Sequence, residues 1–380
     1  ARHYPHEEIE AGRPVLTTPI HEKLAAANAV FGQSYGLEHP NWFAPTGIEA
    51  KDSPSYTRPN WFEHVNTECR AVQNSVGLIE FSAMAKIAVS GPSAEIWLNY
   101  ILTNKVPSKP GCTVLSQMLN KNGSLIGDFS ISHVSDNYYI LLCTDYMQLY
   151  YLRHFSNNSK DFDIKIQNLS NDWAGLHIAG PQAKNLLKQL VEDDNDIKNL
   201  TFMNNCLLKI GGIKNIFTVR ISYTGELGYE LYYPKKFHKS LFDQVFKAGK
   251  NFNIRLVGTR ALMSTRLEKN FPAWGLELSP DYTIFEAGVQ RYTNFDKGDF
   301  VGRESALTQL NSELREKCVA FTVDASNADT WGNEPILYKG EWVGYVTSGG
   351  YGARVEKSIA IGYLLADALF YNEDYGIEIL

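Results

Sequence analysis

The chain has 380 residues, of which 44% are hydrophobic, and its formal net charge is -6. That length and apolar content exclude a small stapled module and allow a large core spread over two or three domains. The acidic balance, without clusters of Lys and Arg, argues against a nucleic-acid partner or an anionic membrane, and no apolar stretch reaches membrane-spanning length.

The sequence contains no recognisable secretory signal and no cysteine pattern of a disulfide framework or metal site. The amino terminus has neither the apolar segment nor the cleavage site of a secretory signal, which predicts a cytoplasmic protein, or one of the mitochondrial matrix if the source is eukaryotic. The five cysteines form no close-spaced pair, so neither a disulfide framework nor a metal site is predicted. A first residue of Ala rather than Met, and a last stretch IEIL that reads as the middle of a strand, suggest a piece of a longer polypeptide.

The chain begins with a segment unlike the rest. Residues 1–45 are rich in His, Pro and aromatic residues, and they are predicted to form an extended arm or linker with one short helix near residues 20–30. Residues 301–380 turn β-rich, with alternating apolar residues and tight turns, which predicts a C-terminal antiparallel β-barrel.

An internal repeat organises the intervening residues 46–300. A strand, a Gly-Pro pair and an amphipathic helix occur at Gly91-Pro92 and again at Gly180-Pro181. Two copies so far apart favour a pair of pseudo-symmetric α+β lobes over a solenoid, which needs several shorter repeats. The cleft between the lobes is the expected ligand site.

The first lobe contains a charge where a strand does not favour one. Strands are predicted over residues 112–119, 125–134 and 138–143, joined by tight polar turns. Asp128 lies inside the apolar middle strand. A charge that breaks a local pattern indicates either a functional group or an edge-strand residue that limits aggregation, and both interpretations stay open.

The second lobe contains a hairpin over residues 217–233, FTVRISYTGELGYELYY. Alternating side chains predict a strand up to Tyr223, a turn at Gly225 and Gly228, and a return strand. On that return strand Glu230 points to the face opposite its two neighbours. A strand carboxylate is either a solvated charge or a placed hydrogen-bond acceptor.

The stretch YTGELGYE resembles the signature of the glycine cleavage T-protein family, the tetrahydrofolate-dependent aminomethyltransferases. The resemblance implies that Tyr223 and Glu230 bind the pterin ring of folate and that Asp128, the catalytic carboxylate, lies over the folate nitrogens. The chemistry suits Glu230, because a pterin presents an amino group and a ring N–H side by side and a carboxylate accepts both.

Some positions depart from the family pattern. Thr144 stands where the family has a folate-binding asparagine, and Leu115 stands where it often has a tyrosine; both put the amine side of the pocket in doubt. Arg260 matches the folate-contacting arginine of the family only if a gap is allowed. Arg266 and Glu268 are expected to form a surface ion pair of little energetic value.

The arm, together with Trp274-Gly275, resembles the dimethylglycine and sarcosine dehydrogenases, in which a flavin half precedes a folate half. The resemblance implies one-carbon transfer from an N-methylated amine, giving methylene-tetrahydrofolate. It also implies partnership with an FAD-dependent dehydrogenase domain or subunit, with FAD bound only there. A direct folate-dependent methyltransferase or demethylase without flavin, and a non-catalytic folate-binding regulatory module, remain alternatives.

Overall fold

A computed structural model gives the structure of the protein and describes residues 4, 7–144, 148–369 and 374–379. Most of the first six residues of the predicted arm, and the last residue of the predicted closing strand, lie outside the described residues. Within the described ranges, no helix combines the length and apolarity needed to cross a bilayer.

The amino-terminal region differs from the extended arm that was expected. Its helix is confirmed, but a β-hairpin follows the helix. The hairpin is anchored by Trp42, which is fully buried and donates through Nε1 to Asp52 at 2.7 Å. Glu68 fixes the end of that hairpin by accepting from the backbone N–H of Phe43 at 2.7 Å. The elements up to the first lobe are α1 (His21–Ala26), β1 (Ala29–Ser34), β2 (Leu37–Phe43), α2 (Phe62–Asn74) and β3 (Val76–Glu80).

The first lobe is a five-stranded antiparallel sheet covered by helices, in the strand order β5-β6-β7-β4-β8. Its elements are β4 (Ala85–Ser90), α3 (Ala94–Ile101), β5 (Thr113–Leu119), β6 (Leu125–Ser135), β7 (Tyr138–Cys143), α4 (Gln148–Asn158) and β8 (Lys165–Asn168). The predicted strands β5, β6 and β7 are confirmed to within a residue. The outer face of the sheet packs its apolar side chains under α3 and α4.

The second lobe is a six-stranded sheet in the order β10-β11-β12-β9-β3-β13, in which only the β3–β13 pair is parallel. Its elements are β9 (Trp173–Ala179), α5 (Ala183–Leu190), α6 (Asp194–Asn199), β10 (Asn205–Ile210), β11 (Ile213–Val219), β12 (Gly228–Pro234), α7 (His238–Gly249), β13 (Ile254–Val257) and α8 (Thr259–Leu267). Its outer face packs under α5 and α7.

The repeat read from the sequence has a structural counterpart at its glycines. Gly91 and Gly180 adopt φ values of 124° and 132°, which favour glycine. A Cβ on Gly91 would fall 2.5 Å from the carbonyl oxygen of Asp163, and one on Gly180 would fall 2.5 Å from that of Ser75. The two α+β lobes therefore use the same strand-to-helix turn, as the sequence predicted.

One strand boundary was predicted wrongly. The first strand of the hairpin was expected to reach Tyr223, but β11 ends at Val219, because its ladder with β12 stops at the Val219–Glu230 pair. Beyond it, Ser222 and Thr224 bond each other through their hydroxyl groups at 2.7 Å. Tyr223 therefore lies in the connecting loop instead of pointing from a strand.

The C-terminal region is a five-stranded antiparallel sheet in the order β14-β17-β16-β15-β18, which confirms an antiparallel β domain at this end of the chain. Its elements are α9 (Arg303–Leu310), β14 (Glu316–Val323), β15 (Pro335–Tyr338), β16 (Glu341–Gly352), β17 (Lys357–Leu365) and β18 (Gly376–Ile377). The domain boundaries at residues 45 and 300 stay predictions.

Candidate active site

The inner faces of the two lobe sheets pack against each other. Five buried side chains form the centre of this contact: Ile140, Leu142, Phe217, Val219 and Tyr232. The first two come from β7 and the other three from β11 and β12. Any residue that shares a sheet face with them points into the region between the lobes.

Asp128 lies on the inner face of the first lobe. Its strand neighbour Ser130 pairs with Leu142, and side chains two residues apart in a strand share a face. Gln117 of β5, directly opposite, donates through Nε2 to Oδ1 of Asp128 at 2.9 Å. Burial raises the pKa of Asp128 to about 6, and the bond from Gln117 opposes the rise. At pH 7 the group is therefore mostly a carboxylate that can still accept a proton.

Glu230 lies on the inner face of the second lobe, where it pairs across the sheet with Val219 and His177. The residue is 7% exposed, and Oε2 of its carboxylate accepts from the hydroxyl of Tyr232 at 2.8 Å. Burial raises the pKa of Glu230 to about 7, although the Tyr232 hydrogen bond lowers it. The prediction that Glu230 faces away from its strand neighbours is confirmed, since those neighbours lie in the outer core.

Tyr223 lies in the loop between β11 and β12 and contacts the segment that follows α8. Its hydroxyl donates to the carbonyl oxygen of Pro272 at 2.8 Å, and its ring stacks on Phe271 at 6.1 Å between centroids. Burial raises the pKa of Tyr223, the positive charge of Arg266 opposes that rise, and the negative charge of Asp128 adds to it. The charge of Asp128 therefore acts on Tyr223, although the two residues are widely separated in the sequence.

Two other predicted residues are placed differently. Arg260 forms a bidentate ion pair with Asp52, with both N–O distances at 2.7 Å, and its guanidinium lies 4.4 Å from the ring centroid of Trp61. Its guanidinium is therefore engaged by the protein itself. Thr144 directly follows β7, is partly exposed, and makes no hydrogen bond to another described residue. The folate-binding roles of Arg260 and Thr144 stay predictions.

The expectation of a surface pair between Arg266 and Glu268 is wrong. Arg266 is fully buried and pairs with Glu277 at 3.0 Å, which is also fully buried. Glu268 instead accepts from Gln73 at 3.0 Å. The chain after α8 folds back and places Glu277 beside the helix, so that Arg266 pairs with a residue outside α8. Removing one partner of such a buried pair leaves an uncompensated charge.

A cavity of about 270 Å³ lies between α2, α8 and β16. Trp61, Arg266 and Tyr351 contribute to its wall, whereas neither Asp128 nor Glu230 does. The cavity is thus separate from the inner sheet faces, although Arg266 links it to the site through the Tyr223 loop.

Sequence reasoning missed two residues of this region. Gln117 is found only through its position opposite Asp128 in the sheet register. His177 sits in the apolar stretch GLHIAGP, fully buried, and is found only through its pairing with Glu230. A polar residue inside an apolar strand was the available signal for His177.

Each of the two inner-face carboxylates keeps one oxygen that could accept from a ligand. Asp128 uses Oδ1 internally and Glu230 uses Oε2, while the second oxygen of each makes no hydrogen bond within the described part of the chain. No group of three or more His, Cys, Asp or Glu in the described ranges could hold a metal ion. A carboxylate oxygen without an internal partner can accept from an N–H group.

The fold of the chain is that of an aminomethyltransferase of known structure. The crystal structure of the glycine cleavage system aminomethyltransferase T from Bartonella henselae matches with a TM-score of 0.82 and 22% identity, over 96% of this chain and 94% of that chain. The GCVT N-terminal domain model matches residues 20–297, and the glycine cleavage T-protein C-terminal barrel domain model matches residues 316–380. The chain belongs to the glycine cleavage T-protein family.

Similar proteins with known names include a dehydrogenase and an aminomethyltransferase. Mitochondrial dimethylglycine dehydrogenase from Mus musculus is 34% identical over 381 residues, which cover 99% of this chain and 44% of the mouse protein. The aminomethyltransferase of Thermoanaerobacter sp. (strain X514) is 31% identical over 331 residues, covering 87% of this chain and 88% of that protein. The chain thus spans less than half of the dehydrogenase and most of the transferase, and the resemblance predicted from its sequence is confirmed.

Proposed function

We propose that the chain binds tetrahydrofolate between its two lobes and transfers to it a one-carbon unit from an N-methylated amine such as dimethylglycine or sarcosine, giving methylene-tetrahydrofolate. The observation that carries the proposal is the placement of Asp128 and Glu230 on facing sheets, each with one uncommitted oxygen. Tetrahydrofolate supplies the two nitrogens that take up the carbon.

Each residue has a distinct role in this proposal. Glu230 accepts the two adjacent N–H groups of the pterin in a charge-assisted pair. Tyr223, held by its bond to Pro272, limits where the ring can lie. Asp128 accepts a proton as the carbon is captured and stabilises the positive charge that develops nearby. Holding the reactants in this arrangement makes the transfer effectively intramolecular.

The source of the carbon unit is the second part of the proposal. An FAD-dependent dehydrogenase domain or subunit would oxidise the N-methyl group, with FAD bound there and not on this chain. The similarity to dimethylglycine dehydrogenase supports this arrangement. The alternative is direct methyl transfer onto folate without flavin, which would give methyl-tetrahydrofolate instead of methylene-tetrahydrofolate.

The test is to supply an amine with an isotopically labelled N-methyl group, tetrahydrofolate and a flavin dehydrogenase activity, and to identify the labelled folate by mass spectrometry. Labelled methylene-tetrahydrofolate, formed faster than with an Asp128→Asn control, would support the proposal. The control corrects for released formaldehyde that reacts with folate in solution. Labelled methyl-tetrahydrofolate would indicate direct transfer, and equal rates with both proteins would contradict enzymatic capture.

Replacing Gln117 by Leu tests the environment of Asp128. The variant removes the hydrogen bond that lowers the pKa of Asp128, so that pKa is expected to rise above about 6. Because only the carboxylate can accept a proton, the acidic limb of the rate profile should move to higher pH while the rate at alkaline pH changes little. The measurement is the pH dependence of product formation. Ser132→Ala, which lies on the same strand face but bonds Thr113 at 2.7 Å, is the matched control, and an unmoved limb in the Gln117 variant would refute the interpretation.

A further inference from the structure

His177 is a buried polar residue without a hydrogen-bond partner. It lies in β9 directly opposite Glu230 of β12, so the two side chains share the inner face of the second lobe. Its exposure is 0%, and neither Nδ1 nor Nε2 finds a donor or acceptor among the described residues. Buried polar groups are nearly always hydrogen-bonded, so this one requires an explanation.

The chain makes room for this imidazole. A Cβ on Gly228 would fall 2.8 Å from Nε2 of His177 and 2.7 Å from Oγ of Ser222, so the ring uses space that a larger residue would take. On another side the ring of Phe81 lies 5.3 Å away between centroids. Phe81 packs both against the cluster that holds Tyr232 and against the cluster that includes Tyr223. His177 therefore lies next to a residue that packs against the contact between the lobes.

The protonation state of His177 gives it a single donor. Burial lowers the pKa of His177 to about 3, so at neutral pH the ring is uncharged, with one N–H and one bare nitrogen. An unpaired buried donor destabilises the folded protein, and an apolar side chain of similar size would avoid that penalty. The unpaired N–H of His177 destabilises the free protein, and its presence is explained if a ligand supplies the missing acceptor.

We propose that His177 is a ligand-binding residue that donates a hydrogen bond to the pterin ring beside Glu230. This inference rests on the proposed function. The two adjacent donors of a pterin are the 2-amino group and N3–H, and an acceptor flanks them on each side: N1 beyond the amino group and the 4-oxo group beyond N3. A donor next to the carboxylate of Glu230 therefore meets an acceptor whichever way the ring is turned.

The experiment compares the affinity for 5-formyltetrahydrofolate, by calorimetry, with the thermal midpoint of the free protein. His177→Leu should weaken binding about 10-fold by removing the donor, while the midpoint stays level or rises because an unpaired polar group is gone. His177→Gln, which keeps an N–H, should bind more tightly than the Leu variant. It also serves as the test if the Leu variant fails to fold. A folded Gln variant that binds within about 3-fold of the wild type supports a retained donor, and a loss of about 10-fold or more overturns it.

His133 provides the matched control in the other lobe. It is 5% exposed and has an unpartnered Nε2, but it stacks on Tyr139 of the outer core and bonds the carbonyl oxygen of Pro107 through Nδ1 at 2.9 Å. His133→Leu should therefore lower the thermal midpoint and leave the affinity unchanged, the reverse of the His177 variant.

The outcomes separate this inference from the proposed function. If the wild-type protein does not bind the folate, both are overturned. If it binds, and Glu230→Gln weakens binding while His177→Leu does not, only the inference about His177 fails. Equal weakening by the Leu and Gln variants, or a parallel loss of stability and affinity in the Leu variant, would assign His177 a structural role instead.

Discussion

The Asp128→Asn variant is expected to lose one-carbon transfer, with a fall in rate of about 100- to 10,000-fold, the usual contribution of a positioned general base. Asn cannot accept the proton and carries no charge to stabilise a developing cation. The substitution is nearly isosteric, and an Asn side-chain oxygen can still accept from Gln117, whose Nε2 lies 2.9 Å from Oδ1 in the native protein. The rate of labelled methylene-tetrahydrofolate formation measures the effect.

Folate binding separates a chemical role of Asp128 from a binding role. Because Glu230 and Tyr223 are untouched, the affinity of the Asp128 variant for 5-formyltetrahydrofolate should stay close to that of the wild type. Turnover at the wild-type rate would remove Asp128 from the reaction. Loss of affinity together with rate would make it a binding residue.

The Glu230→Gln variant is expected to bind folate about 10- to 100-fold more weakly, because charge-assisted hydrogen bonds contribute about 1.5–3 kcal/mol. A carboxamide presents one oxygen and one NH₂ group, so one of the two pterin donors would meet another donor. Calorimetric titration measures the change. Glu226→Gln is the matched control in the same YTGELGYE stretch, since Glu226 instead pairs with Arg354 at 2.7 Å.

The ionisation of Glu230 also predicts how folate binding depends on pH. Burial raises the pKa of Glu230 to about 7 in the free protein, and only its ionised form can accept both N–H groups. Affinity is therefore present above that pKa and lost as the pH falls through it, by about 10-fold between pH 8 and pH 6 for a single group. The Glu230→Gln variant should show no such dependence. A wild-type affinity that is flat over this range would mean that Glu230 does not contact the pterin.

The stability of the free protein should fall as the pH rises, whereas its affinity for folate should increase. The folded-state pKa of Glu230 lies above its ordinary value near 4.5, so its contribution to stability is fully present at low pH and is lost as the pH rises through about 7. Glu230→Gln removes the cost of ionising a buried carboxylate. The thermal midpoint of the variant should exceed that of the wild type at pH 8 and not at pH 5, as measured by calorimetric scans; a lower midpoint at pH 8 would contradict the buried-charge account.

Local patterns in the sequence were enough for the architecture and for the strand positions of both carboxylates. The Gly-Pro turns at Gly91 and Gly180 revealed two lobes, because each glycine has a backbone conformation and a close contact that other residues resist. Asp128 stood out because a strand interior disfavours it, and the alternation around Glu230 gave its face correctly.

What the sequence could not reveal depends on contacts between distant segments. Arg266 was assigned to its helix neighbour Glu268, whereas its partner Glu277 approaches only after the chain reverses. His177 stood out only as a polar residue in an apolar strand, and its significance arises from pairing with Glu230 across two strands that are far apart in the chain. Arg260 could be aligned with a folate contact, but its ion pair with Asp52 depends on how the segment between β2 and α2 folds.

The most direct test of the account is a crystal structure of the protein with bound 5-formyltetrahydrofolate. We expect the pterin ring between the inner faces of the two lobes, with its 2-amino group and N3 on Glu230 and its N5 edge towards Asp128. A ring held instead in the cavity beside Trp61 and Arg266, with both carboxylates free of contact, would contradict the central claim.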